Sequence, residues 1–566
     1  MNSNVITSSS FTSKDLLLRK LYYSIVSSVF SQLALLLVYV LLSNINILHP
    51  IDWVLSTLKT FTSLTTWLFV IPFITLVFAQ SIICAKDYVF KSSYCSTRFQ
   101  KFISIFSVHN IVLLALNIIV GTTSVWLFSS LGGTQYQYLT RNCKGQSYCL
   151  NEGSFFLICS GFWTGFYYFM KIYLSEKHLS FPVIQQKKLL QFKSQLLPFL
   201  KESFSSSIWP MVYFLCLYRA WGNSLSESFC SFFGLGQEES SDSPMIYFYL
   251  WMFGALFHFN MKLMRFFFNL FLTEPIEFPL CKISPDSLSL QEGIMISDLP
   301  IIQNLACLDL STLSRWSKHR RQVLFTLSHP GGHPHNWNIL TENLLKLLTA
   351  YSELLSKSTD TAETIKTPAP VTYQSPIQSP GRFRNLRNMS LMSDRGIADI
   401  VDVTHAPLAG LSVPNTLFHK LTQKINNTLE VLKVVFGINF IFGELPQANI
   451  QKCLANGLII IWSSQGISDL VCASIEEDRF GIVQKDLPAI ITALVHLKQN
   501  LDKLNKVPAL TKKIAGYDDF NYKMKGAISG ALKRSLFNIC RTFGKFLGEF
   551  PLNKDVVLYL QTIYKS

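Results

Sequence analysis

Three histidines in one short segment are the residues of this 566-residue chain best suited to chemistry. Residues 328–337 read Ser-His-Pro-Gly-Gly-His-Pro-His-Asn-Trp and contain His329, His333 and His335. Imidazole nitrogens are common zinc ligands, but a structural zinc site needs four ligands, and the fourth is missing here. The intervening prolines and glycines also exclude a helical i,i+4 histidine pair. We therefore predict no metal site, and interpret the segment as a rigid turn whose histidines and tryptophan pack between helices.

A second group of residues that could take part in chemistry is the cysteine pair Cys143 and Cys149. The topology predicted below places both in a lumenal loop. The lumen of the endoplasmic reticulum is oxidising, so a local disulfide is compatible with this position. Spacing alone does not fix the geometry, and the sequence leaves the bridged and the free form equally open.

The chain lacks the motifs of common enzymes. It contains no G-x-S-x-G elbow, Walker A loop, H-E-x-x-H motif or dinucleotide fingerprint. No Asp or Glu lies inside the six apolar segments described next, whereas coupled transporters usually keep charges along their path. We predict no catalytic residue and no cofactor. A membrane carrier or enzyme of the endoplasmic reticulum is kept as the alternative class.

Six apolar segments between Tyr22 and Thr273 organise the chain. A helix needs about 20 mostly apolar residues to cross a bilayer, and lipid admits only helices or closed barrels. The predicted spans are residues 22–42, 65–84, 102–127, 154–173, 204–219 and 245–266. Together with the helical patterns that follow, they predict an all-α polytopic membrane protein.

The placement of Lys and Arg predicts the orientation of these spans. With the N-terminus in the cytosol, fifteen of these residues flank the spans on the cytosolic side and four on the lumenal side. Basic loops stay in the cytosol, so this bias favours cytosolic N- and C-termini. The net charge of +15 is interpreted as membrane orientation. Because no nucleic-acid-binding module accompanies it, we expect no direct nucleic-acid partner.

The parts outside the membrane have distinct patterns. Residues 1–21 are predicted as a disordered cytosolic N-terminus, 274–357 as a cytosolic helical region, 358–410 as a disordered Ser/Pro linker and 411–566 as a C-terminal helical domain. The apolar run 458–462 is interpreted as too short for a seventh crossing and as part of a helical core.

The linker contains three candidate phosphorylation sites. Thr367, Ser375 and Ser379 each precede a proline, and Arg382 follows the last, which resembles the target pattern of cyclin-dependent kinases. The segment has too little apolar content to fold, so a kinase can reach it without unfolding anything. Incidental Ser-Pro pairs in an unregulated tether are the alternative.

An amphipathic helix is predicted at about residues 529–550. Its apolar stripe and its basic face are formed by Leu532, Leu536, Ile539 and Phe543, and by Arg534, Arg541 and Lys545, respectively. Such a helix lies either on an anionic membrane or in a protein core with a solvated basic face. The second interpretation is the favoured one.

Two further segments, 314–325 with Arg320-Arg321 and 477–484, resemble the nuclear-division-cycle transmembrane nucleoporin family. Residues 328–337 resemble that family's most specific signature. The signature residues are Pro330, Gly331, Gly332, His333, Pro334, His335, Asn336 and Trp337. The six-span layout with a following helical domain is also similar to that family over nearly the whole chain.

This resemblance implies a structural component of the nuclear pore complex, located in the pore membrane of the nuclear envelope. It implies roles in anchoring the pore scaffold and in pore assembly, with nuclear membrane lipids as a partner. It also implies two protein partners, the WD-repeat nucleoporin aladin and an inner-ring nucleoporin with an RRM-like domain. A further presence in the endoplasmic reticulum is left open.

Overall fold

The computed structural model describes residues 13–46, 48–89, 97–132, 136–143, 146–173, 181–182, 186–237, 244–282, 287–327, 332–364, 448–504 and 519–565. Within these ranges the chain is all-α apart from one small sheet. This confirms the all-α part of the predicted fold class. The predicted N-terminus, except for residues 13–21, most of the linker, and the early part of the predicted C-terminal helical domain lie outside the described residues.

The first half contains nine helices among its described residues. They are α1 (Ser13–Ser43), α2 (Pro50–Thr62), α3 (Leu64–Val89), α4 (Arg98–Ile105), α5 (Val108–Leu131), α6 (Glu152–Tyr167), α7 (Lys188–Ser206), α8 (Ile208–Phe233) and α9 (Met245–Leu272). A π-helical turn, Tyr168–Tyr173, continues α6. The sheet has the order β1 (Thr140–Cys143), β2 (Gln146–Leu150), β3 (Gly236–Gln237), with an antiparallel β1–β2 pair and a parallel β2–β3 pair.

Three of these helices have the length and composition to cross a membrane. They are α1 from Lys14, α3 and α5, each with a strongly apolar stretch. The other predicted spans coincide with α6 and its π-helical turn, α8 and α9. Here α6 alone has 16 residues, and α8 and α9 carry polar residues such as Arg219 and Asn260 within them. Length and composition therefore single out α1, α3 and α5 in this half as the helices able to cross a membrane.

Two helices have bounds that differ from the predicted spans. The predicted span 102–127 is divided, because α4 ends at Ile105 and the Ser107 hydroxyl caps α5 by accepting a hydrogen bond from the Asn110 backbone N–H. The predicted span 204–219 begins inside α7, and α8 continues to Phe233. There Gly234, with a left-handed φ of 66°, ends the helix.

Close backbone packing joins α5 to α6. A Cβ atom added at Gly165 would lie 2.3 Å from the Asn117 carbonyl oxygen, and one at Gly121 would lie 2.5 Å from the Gly161 carbonyl oxygen. Small residues at such positions let two membrane helices approach until their backbones touch. The glycines therefore set the spacing of this helix pair.

A buried lysine joins the first and last helices of the bundle. The Lys20 ammonium of α1 donates hydrogen bonds to the carbonyl oxygens of Phe271 (3.1 Å) and Glu274 (2.6 Å) at the end of α9. Its side chain is buried, so these bonds replace the water that the charge would otherwise need. The contact closes the bundle.

The second half contains nine further helices among its described residues. They are α10 (Leu290–Met295), α11 (Pro300–Trp316), α12 (Lys318–Leu324), α13 (His335–Thr364), α14 (Ala448–Ala455), α15 (Gly457–Glu477), α16 (Ile482–Lys503), α17 (Asp519–Phe543) and α18 (Lys554–Lys565). A 3₁₀ turn, Leu547–Glu549, lies between the last two.

Helix α15 is the centre of this second half. It packs against α11, where Gly466 faces Leu310, and against α17, where the Ser468 hydroxyl donates to the Ser535 carbonyl oxygen (2.9 Å). At 21 residues, α15 is also long and apolar enough to cross a membrane, so the length argument applied to residues 458–462 was wrong. More than half of its most apolar stretch is nevertheless buried by the chain itself.

Candidate functional site

The described part of the histidine-rich segment runs into α13, which begins at His335. Gly332 to Trp337 are described, whereas Ser328, His329, Pro330 and Gly331 lie outside the described residues. His333 and His335 are exposed, and the His335 backbone N–H donates to the His333 carbonyl oxygen (2.9 Å). Among the described residues, no three His, Cys, Asp or Glu side chains are grouped as metal ligands.

Trp337 lies in the core, in the first turn of α13. Its side chain is fully buried, and its ring centroid is 5.8 Å from that of Phe325. The indole N–H donates to the Asp486 carboxylate of α16 (2.9 Å). A buried indole usually finds such a partner, and here the bond ties α13 to α16.

Asn336 connects the same turn to two other helices. Its backbone carbonyl accepts a hydrogen bond from the Gln291 amide of α10 (3.1 Å), and its own amide donates to the Val323 carbonyl of α12 (3.4 Å). The Asn-Trp end of the signature therefore holds α10, α12, α13 and α16 together. Its role in the structure is to hold these helices in position.

Arg320 forms a buried fork with Asp309. The guanidinium donates to both carboxylate oxygens (2.7 and 2.8 Å) and to the Phe278 carbonyl (2.6 Å), while the Phe278 N–H donates to Asp309 (2.9 Å). Burial raises the pKa of the Asp309 carboxyl, and the bonds from Arg320 oppose that rise. The fork fixes the segment that follows α9 against α11 and α12.

Arg321 makes the matching contact on the other side of α12. It donates to both oxygens of Glu477 at the end of α15 (2.9 and 2.7 Å) and to the Ser314 carbonyl (3.1 Å). Both side chains of the pair are about nine-tenths buried. Bidentate pairs of this kind are strong and geometrically specific.

Asp478 and Gly481 shape the turn that follows. The Asp478 carboxylate accepts hydrogen bonds from the backbone N–H groups of Phe480 (3.0 Å) and Val483 (2.9 Å). Gly481 has a left-handed φ of 66°, which a side chain would disfavour. Together they direct the chain from α15 into α16.

These contacts bring together the three segments that carry the family resemblance. We call residues 314–325, 332–337 and 477–484 the motif junction. Sequence reasoning singled out these segments but missed their partners Asp309 and Asp486. A lone acid among the apolar residues of α11 was the available signal for Asp309; nothing local marked Asp486. The junction is filled by paired groups and suits a structural role.

The structure describes some of the remaining predicted site residues and not others. Cys149 is disulfide-bonded, and Cys143 lies at the end of β1, the strand paired with that of Cys149, but the Cys143 side chain is outside the described residues. Their mutual pairing therefore stays a prediction. Thr367, Ser375 and Ser379 also lie outside the described residues.

The predicted amphipathic helix corresponds to α17, which begins ten residues earlier than expected and ends at Phe543. Leu532, Leu536, Ile539 and Phe543 are all buried, whereas Arg534, Arg541 and Lys545 are exposed. Because the apolar stripe faces α15, it is occupied by protein. This arrangement is that of a core helix with a solvated basic face.

The fold and the motif junction define a class of protein. It is an all-α protein with helices able to cross a membrane, joined to a helical domain whose most distinctive residues serve internal architecture. Comparison with known proteins gives the family. The sequence profile described as "Nucleoporin protein Ndc1-Nup" matches residues 15–561, and the chain belongs to this family.

Individual relatives agree with this assignment. The chain is 27% identical to "Nucleoporin Ndc1" of Drosophila melanogaster over 575 residues, covering 96% of both proteins. It is 25% identical to "Nucleoporin NDC1" of Homo sapiens, again covering 96% of both. A Caenorhabditis elegans relative, "Nucleoporin ndc-1", is 26% identical over 54% of this chain and 50% of its own length. The resemblance stated from the sequence is thereby confirmed, and the family is one of nucleoporins, not enzymes.

Proposed function

We propose that this protein is a structural transmembrane nucleoporin that anchors the nuclear pore scaffold in the nuclear envelope and assists pore assembly and insertion. The observation that carries the proposal is the family match over residues 15–561, which spans both the apolar helices and the motif junction. A bundle of membrane helices joined to a helical domain that buried ion pairs and hydrogen bonds hold together suits a protein that attaches other proteins to a membrane. No catalytic step is assigned to it.

The localisation experiment separates this function from the alternative. A fluorescently tagged full-length copy should give a punctate nuclear rim that coincides with pores. A uniform reticular network without rim enrichment would reject the proposal and favour a carrier or enzyme of the endoplasmic reticulum. Depletion should also lower the number of pores per nucleus if assembly depends on the protein.

Six crossings with both termini in the cytosol are part of this proposal. Among the described helices, α1, α3, α5 and α15 qualify by length and composition. We assign crossings to the first three, keep α15 in the helical domain, and assign the other three crossings to α6 with its π-helical turn, α8 and α9. The bias of fifteen basic residues against four supports the orientation. Protease added to sealed microsomes should digest the region after Thr273 and spare the β1–β2 loop; protection of α10 to α18 would overturn this topology.

The helical domain is the proposed contact region for other nucleoporins. Aladin and the inner-ring nucleoporin with an RRM-like domain are the candidates that the family resemblance implies. Because Trp337 is buried, its role is to support the domain, and a partner would touch exposed residues such as Trp316, which is 84% exposed. Trp316→Ala should weaken capture of one candidate without loosening the domain. If Trp316→Ala captures both candidate partners as well as the unmodified protein does, Trp316 is not part of the contact.

The linker is proposed as a mitotic switch. Phosphates on Thr367, Ser375 and Ser379 would each add about −1.5 to −2 charges and overturn the positive balance of the nearby arginines. Phosphorylation would then release the linker from anionic lipid or an acidic partner in step with pore disassembly. Phosphopeptide mapping of interphase and mitotic cells, followed by liposome binding of the peptide 358–407 with and without phosphates, tests both halves.

A further inference from the structure

A cavity of about 410 Å³ lies between α7 and α9, outside the motif junction. Its polar lining includes Gln191, Gln195 and Glu202 from α7, and Lys262, Arg265 and Asn269 from α9. Two cations and one carboxylate leave the lining with a net positive charge. Amide donors from α7 face the same space.

The polar groups of α9 in this cavity are incompletely satisfied. The Lys262 ammonium and the Asn269 amide oxygen are buried and make no hydrogen bond to any residue that the structure describes. Lys262 does approach Glu202, at 3.0 Å, but as an ion pair without hydrogen-bond geometry, and the Glu202 side chain is 66% exposed. A buried ammonium held only by a solvated carboxylate is costly, and a better anion would stabilise it.

Arg265 contributes the second cation in an ordered position. Its guanidinium carbon lies 5.5 Å from the ring centroid of Tyr168, in the π-helical turn that continues α6. This cation–π contact holds the planar group beside the cavity. A planar guanidinium suits bidentate contact with phosphate oxygens.

The surroundings point to a ligand that also carries hydrocarbon. Phe199 and Phe266 line the cavity, with their rings 5.5 Å apart. On the outer side of α7, Leu189 and Leu197 are exposed, although the opposite face of the same helix packs on α9. Exposed apolar side chains and lysines on one helix supply the apolar contact and the attraction to anionic lipid that hold a helix at the headgroup level of a membrane.

We propose that this cavity binds a phosphomonoester, and that its source is the headgroup of an anionic phospholipid in the cytosolic leaflet. Lys262 and Arg265 would contact the phosphate, the glutamine amides would donate to its remaining oxygens, and Glu202 would turn outward. The acyl chains would lie along the exposed leucines of α7. The inference needs the proposed membrane insertion but is independent of any role at the pore.

Native mass spectrometry of the full-length protein in detergent tests the inference. Phosphatidic acid and phosphatidylcholine of matched acyl chains are the two lipid probes. The unmodified protein should retain phosphatidic acid in preference to phosphatidylcholine. Replacing both cations, Lys262→Gln with Arg265→Gln, should lower that retention by about tenfold or more, as expected for loss of charge-assisted hydrogen bonds.

Two further variants keep the result decisive. Lys193→Gln with Lys201→Gln removes the same charge from exposed positions of α7 outside the cavity, and should leave the preference nearly unchanged. Glu202→Gln removes the competing carboxylate and should increase retention, a gain that misfolding cannot produce. Equal losses in the two double variants, or no gain with Glu202→Gln, would overturn the site.

A soluble competitor identifies the source of the phosphate. Glycerol phosphate carries the same phosphomonoester without acyl chains. It should displace phosphatidic acid only at much higher concentration, because it cannot use the apolar side of α7. Displacement at equal concentration would refute the lipid assignment. These measurements are made in detergent, so an incorrect pore localisation would leave their outcome unaffected.

Discussion

Replacing Trp337 with alanine should open the helical domain. The indole is fully buried at the motif junction, contacts Phe325 and donates to Asp486 (2.9 Å). Removing a buried Trp costs about 3–5 kcal/mol through lost transfer free energy and the cavity left behind. The lost hydrogen bond adds about 1 kcal/mol, at the low end because Asp486 retains some solvent contact. The expected total is about 5 kcal/mol.

The buried thiol of Cys307 in α11 provides a local assay. Burial raises the pKa of this thiol to about 12, so it reacts with an alkylating agent only when the domain opens. If reclosing is faster than alkylation, the reaction rate is proportional to the open fraction. A loss of about 5 kcal/mol then accelerates alkylation by three to four powers of ten, measured by peptide mass spectrometry on the full chain.

Two matched variants complete this test. Trp337→Phe keeps most of the ring volume but loses the N–H donor, so its acceleration should be about tenfold. Trp316→Ala removes an exposed tryptophan from the same domain and should alter stability by no more than about 0.5 kcal/mol. Alkylation of Cys307 at the unmodified rate in Trp337→Ala would refute the argument that this ring supports the core.

Three other perturbations follow from contacts described above. Arg321→Gln leaves Glu477 buried without its partner and should cost about 3–5 kcal/mol by the same alkylation assay, with part of the loss recovered in the double Arg321→Gln, Glu477→Gln variant; strict additivity would argue against their coupling. Gly165→Val drives α5 away from α6 and should lower the free energy of unfolding by about 1–3 kcal/mol, seen as a lower Tm in detergent; an unchanged Tm would contradict the close packing. If Cys143 and Cys149 are bridged, the unreduced loop peptide should be two hydrogens lighter than the dithiol, and reduction should cost about 2–3 kcal/mol of local stability; two freely alkylated thiols would exclude the bond.

Local sequence patterns predicted the helical class and the positions of most helices well. Apolar periodicity or apolar length marks α1 and α13, which contain no proline or glycine, and it marks α3 in spite of Pro72 in its interior. The break between α4 and α5 escaped this reasoning. A serine cap at Ser107 is too small a signal to stand out within a long apolar run.

The interior of the motif junction illustrates what local patterns cannot supply. Arg321 and Glu477 are separated by 156 positions, and Trp337 and Asp486 by 149. Neither pairing can be read from helical periodicity, because periodicity indicates which face of a helix is buried and not which distant helix that face contacts. The prediction that the histidines of the signature pack between helices is wrong for His333 and His335, which are exposed. The reason for the tryptophan and asparagine lies in helices distant along the chain.

The bond between Lys20 and the end of α9 has a consequence for biosynthesis. The donor and the Phe271 carbonyl are 251 positions apart, so at about 5–20 residues per second a ribosome needs roughly 12–50 s to make the acceptor after the donor. Throughout that interval the ammonium group of the nascent chain has to be kept hydrated. The two carbonyl acceptors of this lysine are made only with the end of α9, so a chain that stalls earlier leaves the ammonium group without these hydrogen bonds. The hydrogen bonds of Lys20 therefore distinguish the complete bundle of helices from any chain that ends before Phe271.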